Sequence, residues 1–241
     1  MQPTRTETIH TAAGETFEGH LALPSGGQGA GVLLIQEVFG VNDYIEDVAE
    51  RLAGLGYVVL APDLFWRQRP KFALSSTEKA NIAPAIEIAD RWDADVGLED
   101  LGAALDHLRG LPEIAGAVGV IGFCFGGTQA FRVAKALEPA CAVCYYGSGI
   151  PEHLDDLHTI TCPTMLHFGG DDPYIPPDRV TAVRDAVADN HHVSVKVHPG
   201  AGHAFDNHLA PHFSHPEAAA KAWTETAAFL YMHLGGPGIG A

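Results

Sequence analysis

Ala117-Val-Gly-Val-Ile121-Gly122-Phe-Cys124-Phe-Gly126-Gly127 is the stretch that decides the fold. Its first half is a short branched apolar run, which predicts a buried strand over Ala117–Ile121. Its second half sets a cysteine between glycines and passes into a helix predicted over Gly126–Leu137. A nucleophile at a tight strand-to-helix turn follows the G-x-S-x-G pattern, here with cysteine in place of serine. The glycines answer to crowding, since bulky side chains cannot flank the nucleophile where helix crosses strand. At a helix N-terminus a thiol feels the positive end of the dipole, which favours thiolate. The amide of Phe125 would point at a developing oxyanion. Taken alone, Cys124 also fits a small buried hydrophobe, as most free cysteines are.

Outward from this turn, the chain alternates strand and helix. Gly31–Ile35 and Tyr57–Ala61 are uninterrupted apolar runs, as in strands covered on both faces. Between them Asn42–Leu55 carries Ile45, Val48, Ala49 and Leu52 at helical spacing, with Asn42 or Asp43 as N-cap and Gly56 as a stop. Strand, helix, strand in this order implies a right-handed crossover. Helices are predicted over Asp95–Leu108, Asp178–Val187 and Glu217–His233, and strands over Cys141–Tyr146, Thr164–Phe168 and Val193–His198. Thr16–Leu23 alternates like a sheet-edge strand. In Ser75–Trp92 a helix could begin with Ser75 and Glu78 as a capping box, or restart near Pro84; either way the stretch should overhang a pocket. The expected architecture is one α/β domain over 1–234, a mostly parallel sheet with helices on both faces, and a flexible tail over 235–241.

Two further loops complete a constellation. After strand Thr164–Phe168 comes Gly169-Gly-Asp171-Asp172-Pro-Tyr-Ile-Pro176, a tight acidic turn. After strand Val193–His198 comes Pro199-Gly-Ala-Gly-His203-Ala-Phe205. Nucleophile, acid, histidine is the chain order of an α/β-hydrolase triad, and all three follow strand ends, where ligands of such sheets bind. Asp171 and Asp172 compete for the acid, because two adjacent aspartates cannot both face one histidine.

At this point the sequence resembles the dienelactone hydrolases. The resemblance lies in Gln36-Glu-Val-Phe-Gly-Val-Asn42, Gly56-Tyr57 through Ala61-Pro-Asp-Leu64, Gly122-Phe-Cys-Phe-Gly-Gly127 and Ala201-Gly-His-Ala-Phe205, and it spans about Gly31 to Trp223. It implies a Cys124–His203–Asp172 triad, the acid being the one three residues before Ile-Pro. It also implies that Glu37 lies beside the thiol and that the amides of Val38 and Phe125 form the oxyanion hole. From the residues alone, Glu37 reads either as a carboxylate binding nearby amides or as a group that polarises the thiol. The chain departs from the family at the arginines expected to hold a substrate carboxylate. Four residues after the histidine stands Asn207, and around the other expected arginine the sequence is Ala80-Asn-Ile82-Ala83. Arg67, Arg69 and Lys71 could substitute, so Arg67, Arg69, Tyr145 and Asn207 are the candidate substrate contacts.

Composition narrows the partners. With 46% apolar and 18% charged residues the chain is an ordinary globular one. A formal charge of −16 repels phosphate backbones and anionic lipid, so neither nucleic acid nor membrane is an expected partner. No run approaches the roughly 18 apolar residues of a membrane helix, and the N-terminus lacks a signal-peptide core. The four cysteines suggest no disulfide framework, so a cytoplasmic location is expected. Cys141-Ala-Val-Cys144 imitates a metal or redox motif but falls on a predicted strand and reads as core. The fourteen histidines, among them His191, His192, His208, His212 and His215, show no metal-ligand spacing, so no metal or cofactor is expected.

The expectation is therefore a monomeric, cysteine-dependent hydrolase of small lactones or esters working through a thioester acyl-enzyme. A carboxylesterase or thioesterase with a neutral substrate is the alternative. A redox-active thiol protein or a non-catalytic binding protein are readings of other classes.

Overall fold

The computed structural model describes residues 2–236. Eight strands form one sheet: β1 (Thr4–His10), β2 (Thr16–Ala22), β3 (Gly29–Ile35), β4 (Val58–Pro62), β5 (Ile114–Phe123), β6 (Ala142–Tyr145), β7 (Thr164–Gly169) and β8 (Val193–His198). Their order is β1-β2-β4-β3-β5-β6-β7-β8. The pairs from β4 to β8 are parallel, and β2 is antiparallel to both β1 and β4. The α-helices are α1 (Asp43–Gly54), α2 (Ile82–Asp90), α3 (Ala94–Gly110), α4 (Phe125–Ala136), α5 (Leu154–Leu157), α6 (Pro177–Ala186) and α7 (Pro216–Leu234).

Both faces of the sheet are covered. Strands β4, β6 and β7 are buried throughout, as parallel strands flanked by helices must be. On one face α1 meets α7, where the Arg51 guanidinium lies 3.7 Å from the Trp223 ring. On the other, α3 packs on α4. Helix α1 begins where Asn42 Oδ1 accepts the Ile45 N–H at 3.2 Å, and it turns Ile45, Val48, Ala49 and Leu52 inward.

The structure differs from the sequence expectation at β1 and α5, and in Ser75–Trp92 it takes one of the two readings the sequence leaves open. Strand β1 carries too little apolar signal to be predicted, since Ile9 is its one buried residue, and it is held by backbone pairing to β2 and by Arg5 bridging Glu7 and Glu113. In Ser75–Trp92 a short 3₁₀ turn, Lys79–Asn81, leads into α2, so the helix starts near Pro84 and Ser75 does not cap it. Pro84 falls in the first turn, where a missing N–H breaks no intrahelical bond. Helix α5 was not predicted. Most of the expected flexible tail, 237–241, lies outside the described residues.

Candidate active site

The candidate residues sit on loops leaving the C-terminal ends of β3, β5, β7 and β8, so parallel pairing brings four distant segments to one rim of the sheet. At the end of β5, Cys124 adopts φ 54°, ψ −116°, a region few side chains occupy. The neighbouring glycines let the turn close. A Cβ on Gly122 would lie 1.9 Å from the Gly126 carbonyl oxygen, one on Gly126 would lie 2.3 Å from that of Ile35, and one on Gly127 would lie 2.2 Å from that of Tyr145. Helix α4 starts at Phe125, directly behind the thiol.

His203 bridges the other two groups. Its Nε2 lies 3.1 Å from Cys124 Sγ, and its Nδ1 donates to Asp172 Oδ2 at 2.8 Å. Asp172 is buried, and its other oxygen accepts the Tyr174 N–H at 2.8 Å, which fixes the carboxylate plane. Asp171 is exposed. Burial pushes the His203 ring towards the neutral form, but the adjacent Cys124 charge and the Asp172 hydrogen bond outweigh it and hold the imidazole well above its ordinary range. Tyr146 and Tyr174 flank the ring, with centroids at 5.3 and 4.9 Å.

Glu37 follows β3 and is buried against the same cavity. Its Oε2 accepts from Asn207 Nδ2 at 2.9 Å, while Oε1 has no partner among the described residues. Burial drives its carboxyl up to about 7, despite the Asn207 bond and the neighbouring His203, which pull it down. Val38 and Phe125, whose amides the resemblance assigns to an oxyanion hole, both line the cavity beside Cys124.

Three of the candidate substrate contacts lie elsewhere. The Arg67 guanidinium is taken up by Asp100 and Glu15, and lies beside α3 away from the cavity. Arg69 sits over the outer Phe72 ring at 5.6 Å and does not line the cavity. Tyr145 is fully buried in the core with its hydroxyl 2.7 Å from Thr226 Oγ1. Asn207 is near the site but behind it: its Nδ2 reaches Glu37 and, at 3.1 Å, Ser76 Oγ, and the side chain is buried. Lys71, the other possible substitute, pairs with Glu18 at 2.9 Å.

Sequence reasoning did not find the layer behind Glu37. There Tyr44 donates to Asp206 Oδ2 at 2.8 Å, Arg51 bonds the same oxygen at 3.2 Å, and the Tyr44 and Tyr146 hydroxyls lie 3.4 Å apart. Asp206, directly before Asn207, was the available signal. Cys141 and Cys144 are buried core, as expected, and burial pushes the Cys141 thiol up to about 12. His167, His198 and Glu225 bring ligand atoms within 4.8 Å of one another. His167 Nδ1 and His198 Nε2 already share a 2.9 Å hydrogen bond, burial pushes both imidazoles below their ordinary range, and His198 Nδ1 and Glu225 Oε2 are buried without a partner among the described residues.

A doubly covered, mostly parallel sheet, with Cys124 at a strained strand-to-helix turn and Asp172 and His203 on loops after later strands, has the architecture of an α/β-hydrolase. The family model described as Dienelactone hydrolase family matches residues 17–234, and the chain belongs to that family. It is 31% identical over 205 residues to carboxymethylenebutenolidase 1 of Cupriavidus pinatubonensis, covering 85% of this chain and 87% of that one. It is 31% identical over 198 residues to a carboxymethylenebutenolidase of Pseudomonas putida, covering 82% and 84%. Among solved structures, a dienelactone hydrolase-like promiscuous phosphotriesterase from metagenomic libraries superposes with a TM-score of 0.78 at 26% identity, covering 96% of this chain and 99% of that one. The protein is a hydrolase of lactone or ester bonds. No helix among the described residues is long and apolar enough to cross a membrane.

Proposed function

We propose that the hydrolysis runs through a thioester on Cys124, with His203 as proton shuttle and Asp172 as its orienting acid. The observation that carries this reading is the unbroken chain Cys124 Sγ–His203 Nε2 at 3.1 Å and His203 Nδ1–Asp172 Oδ2 at 2.8 Å. Cys124 passes its proton to Nε2, and the sulfur forms a bond to the substrate carbonyl carbon. The oxygen becomes an oxyanion held by the amides of Val38 and Phe125. When the carbonyl re-forms, the C–O bond to the leaving group breaks, and the Nε2–H protonates the departing oxygen. Water then attacks the thioester, with Nε2 taking its proton, and the acid and free thiol are released.

A thiolate is itself a good leaving group, so the tetrahedral intermediate goes forward only when its rival is comparable. Enol lactones, aryl esters and thioesters meet that condition, and amides do not. The named activity of the relatives, opening of a carboxymethylene-substituted butenolide, falls in the first group. Glu37, half-protonated near neutral pH beside this site, is the acid-base partner available to the thiol before substrate arrives.

The test is Cys124→Ala assayed with an activated aryl ester. Turnover and the pre-steady-state burst should vanish while the circular dichroism spectrum and melting temperature stay within a few degrees. Cys124→Ser should retain little activity, because an alcohol is far harder to ionise here. Substantial turnover by the alanine variant would remove the mechanism, and a redox or binding role for the thiol would replace it.

A further inference from the structure

We propose that this site selects uncharged acyl groups and lactones and turns away substrates carrying a free carboxylate; the proposal rests on the hydrolase mechanism above. The cavity over Cys124 holds about 420 Å³ and is walled largely by Val38, Phe39, Ile82, Ile86, Phe125 and Phe213. Among the described residues no lysine or arginine lines it. Besides Cys124 and His203, its ionisable groups are Glu37, Asp90 and Tyr174. Two of these, Glu37 and Asp90, are carboxyl groups. His203 is the basic side chain on the wall, and its two ring nitrogens are directed to Asp172 and Cys124.

Three arginines around the site are committed elsewhere. Arg132 approaches Gln129 on the wall at 3.4 Å, but its guanidinium is held by the Ala94 carbonyl and Asp95. Arg51 is fixed between Asp206 and the Trp223 ring. Arg67 is bound to Asp100 and Glu15. Asn207 is neutral, buried behind Glu37 and bonded to it, so it offers an incoming anion no charge. A carboxylate entering the cavity would lose its water, find no lysine or arginine and face Asp90; burial of an uncompensated charge is strongly unfavourable. An uncharged chain or ring meets the opposite surroundings. Ile86 and Tyr174, 40% and 58% exposed, extend the apolar wall out to the mouth. Selectivity would thus be set by what the wall lacks as much as by what it contacts.

The experiment compares 4-nitrophenyl hexanoate with the 4-nitrophenyl half-ester of adipic acid on the wild-type protein, with Cys124→Ala as background. Leaving group and chain length are the same, and only the distal carboxylate differs. The hexanoate should have a kcat/KM at least about tenfold higher, a gap of about 1.4 kcal/mol in transition-state binding. Ile86→Arg, a change on an exposed helix position at the mouth, should narrow the gap by improving the half-ester. An enol lactone with a free carboxylate and its methyl ester, followed by ring opening, should fall in the same order. Equal use of the two nitrophenyl esters, or preference for the half-ester, through Cys124-dependent turnover would overturn the selectivity and leave the mechanism standing. Turnover that survives in Cys124→Ala would overturn the mechanism and the selectivity with it.

Discussion

At the scale of single residues, the two aspartates of the acidic turn have opposite surroundings. Asp172 is buried on His203, and Asp171 faces solvent. Asp172→Asn should therefore lower kcat by several orders of magnitude through a wrongly oriented or wrongly tautomeric imidazole, as in other triads. Asp171→Asn should change it by less than about threefold, the margin of an exposed substitution. Steady-state assays of both variants decide it, and the reverse order would assign the acid to Asp171. Glu37 gives a second residue-scale prediction. Its carboxyl titrates near 7 in the folded protein and near 4.5 when exposed. Below the lower value both states are protonated. Between the two the unfolded chain ionises first, so the buried acid costs stability as pH rises towards 7, about 3 kcal/mol in all. Glu37→Gln, isosteric with the protonated acid and able to keep the Asn207 bond, should stabilise the protein at pH 8 and do little at pH 4. Denaturant melts at the two pH values test this, and a loss of stability at pH 8 would mean that the ionised form is the one the fold accommodates.

Among the elements, the turn into α4 carries the tightest geometric demand. Gly122→Ala would push a methyl group against the Gly126 carbonyl, where a backbone shift is the only relief, so a loss of about 3 kcal/mol is expected. Gly102, in the middle of α3, is the contrast. Its Cβ would meet nothing nearer than Leu137 at 3.8 Å, and alanine there should gain about 0.5–1 kcal/mol from helix propensity. Urea unfolding of both variants tests the pair. These elements also show why some structure was legible and some was not. The strand into Cys124 and helix α1 announce themselves by periodicity and punctuation, because burial on a regular lattice leaves a regular apolar pattern. Strand β1 leaves none: six of its seven side chains are not buried, and its stability comes from backbone pairing that no side chain records. Chain order and strand ends pointed to Cys124, His203 and the Asp171-Asp172 turn, and the choice of Asp172 came from the family resemblance. The arginines could not be placed this way. Nothing in the order Trp66-Arg67-Gln68-Arg69 says that Arg67 turns to Asp100, thirty-three residues on, and away from the site. Long side chains choose their partners in three dimensions, and Tyr145 was misplaced for the related reason that strand alternation sends it into the core beneath the rim.

The whole molecule adds a long-range field to the local one. Its formal charge is −16, and the wall of the cavity carries Glu37 and Asp90 but, among the described residues, no lysine or arginine. An anionic substrate therefore meets repulsion twice, once on approach and once on entry. The approach contribution is screened by salt, over about 30 Å at 0.01 M and about 8 Å at 0.15 M, whereas the desolvation of a carboxylate against Phe39, Ile82 and Phe125 is not. The two are separable in one titration at constant pH. Raising ionic strength from 0.01 to 0.15 M should increase kcat/KM for the adipate half-ester about threefold and leave the hexanoate nearly unchanged. A gap between the two esters should persist at the high-salt end, because what remains there is the missing cation and not the surface charge. If salt instead lowers kcat/KM for the half-ester, the anion is being drawn by a positive group, and Arg132, freed from Asp95, is the side chain placed to supply it.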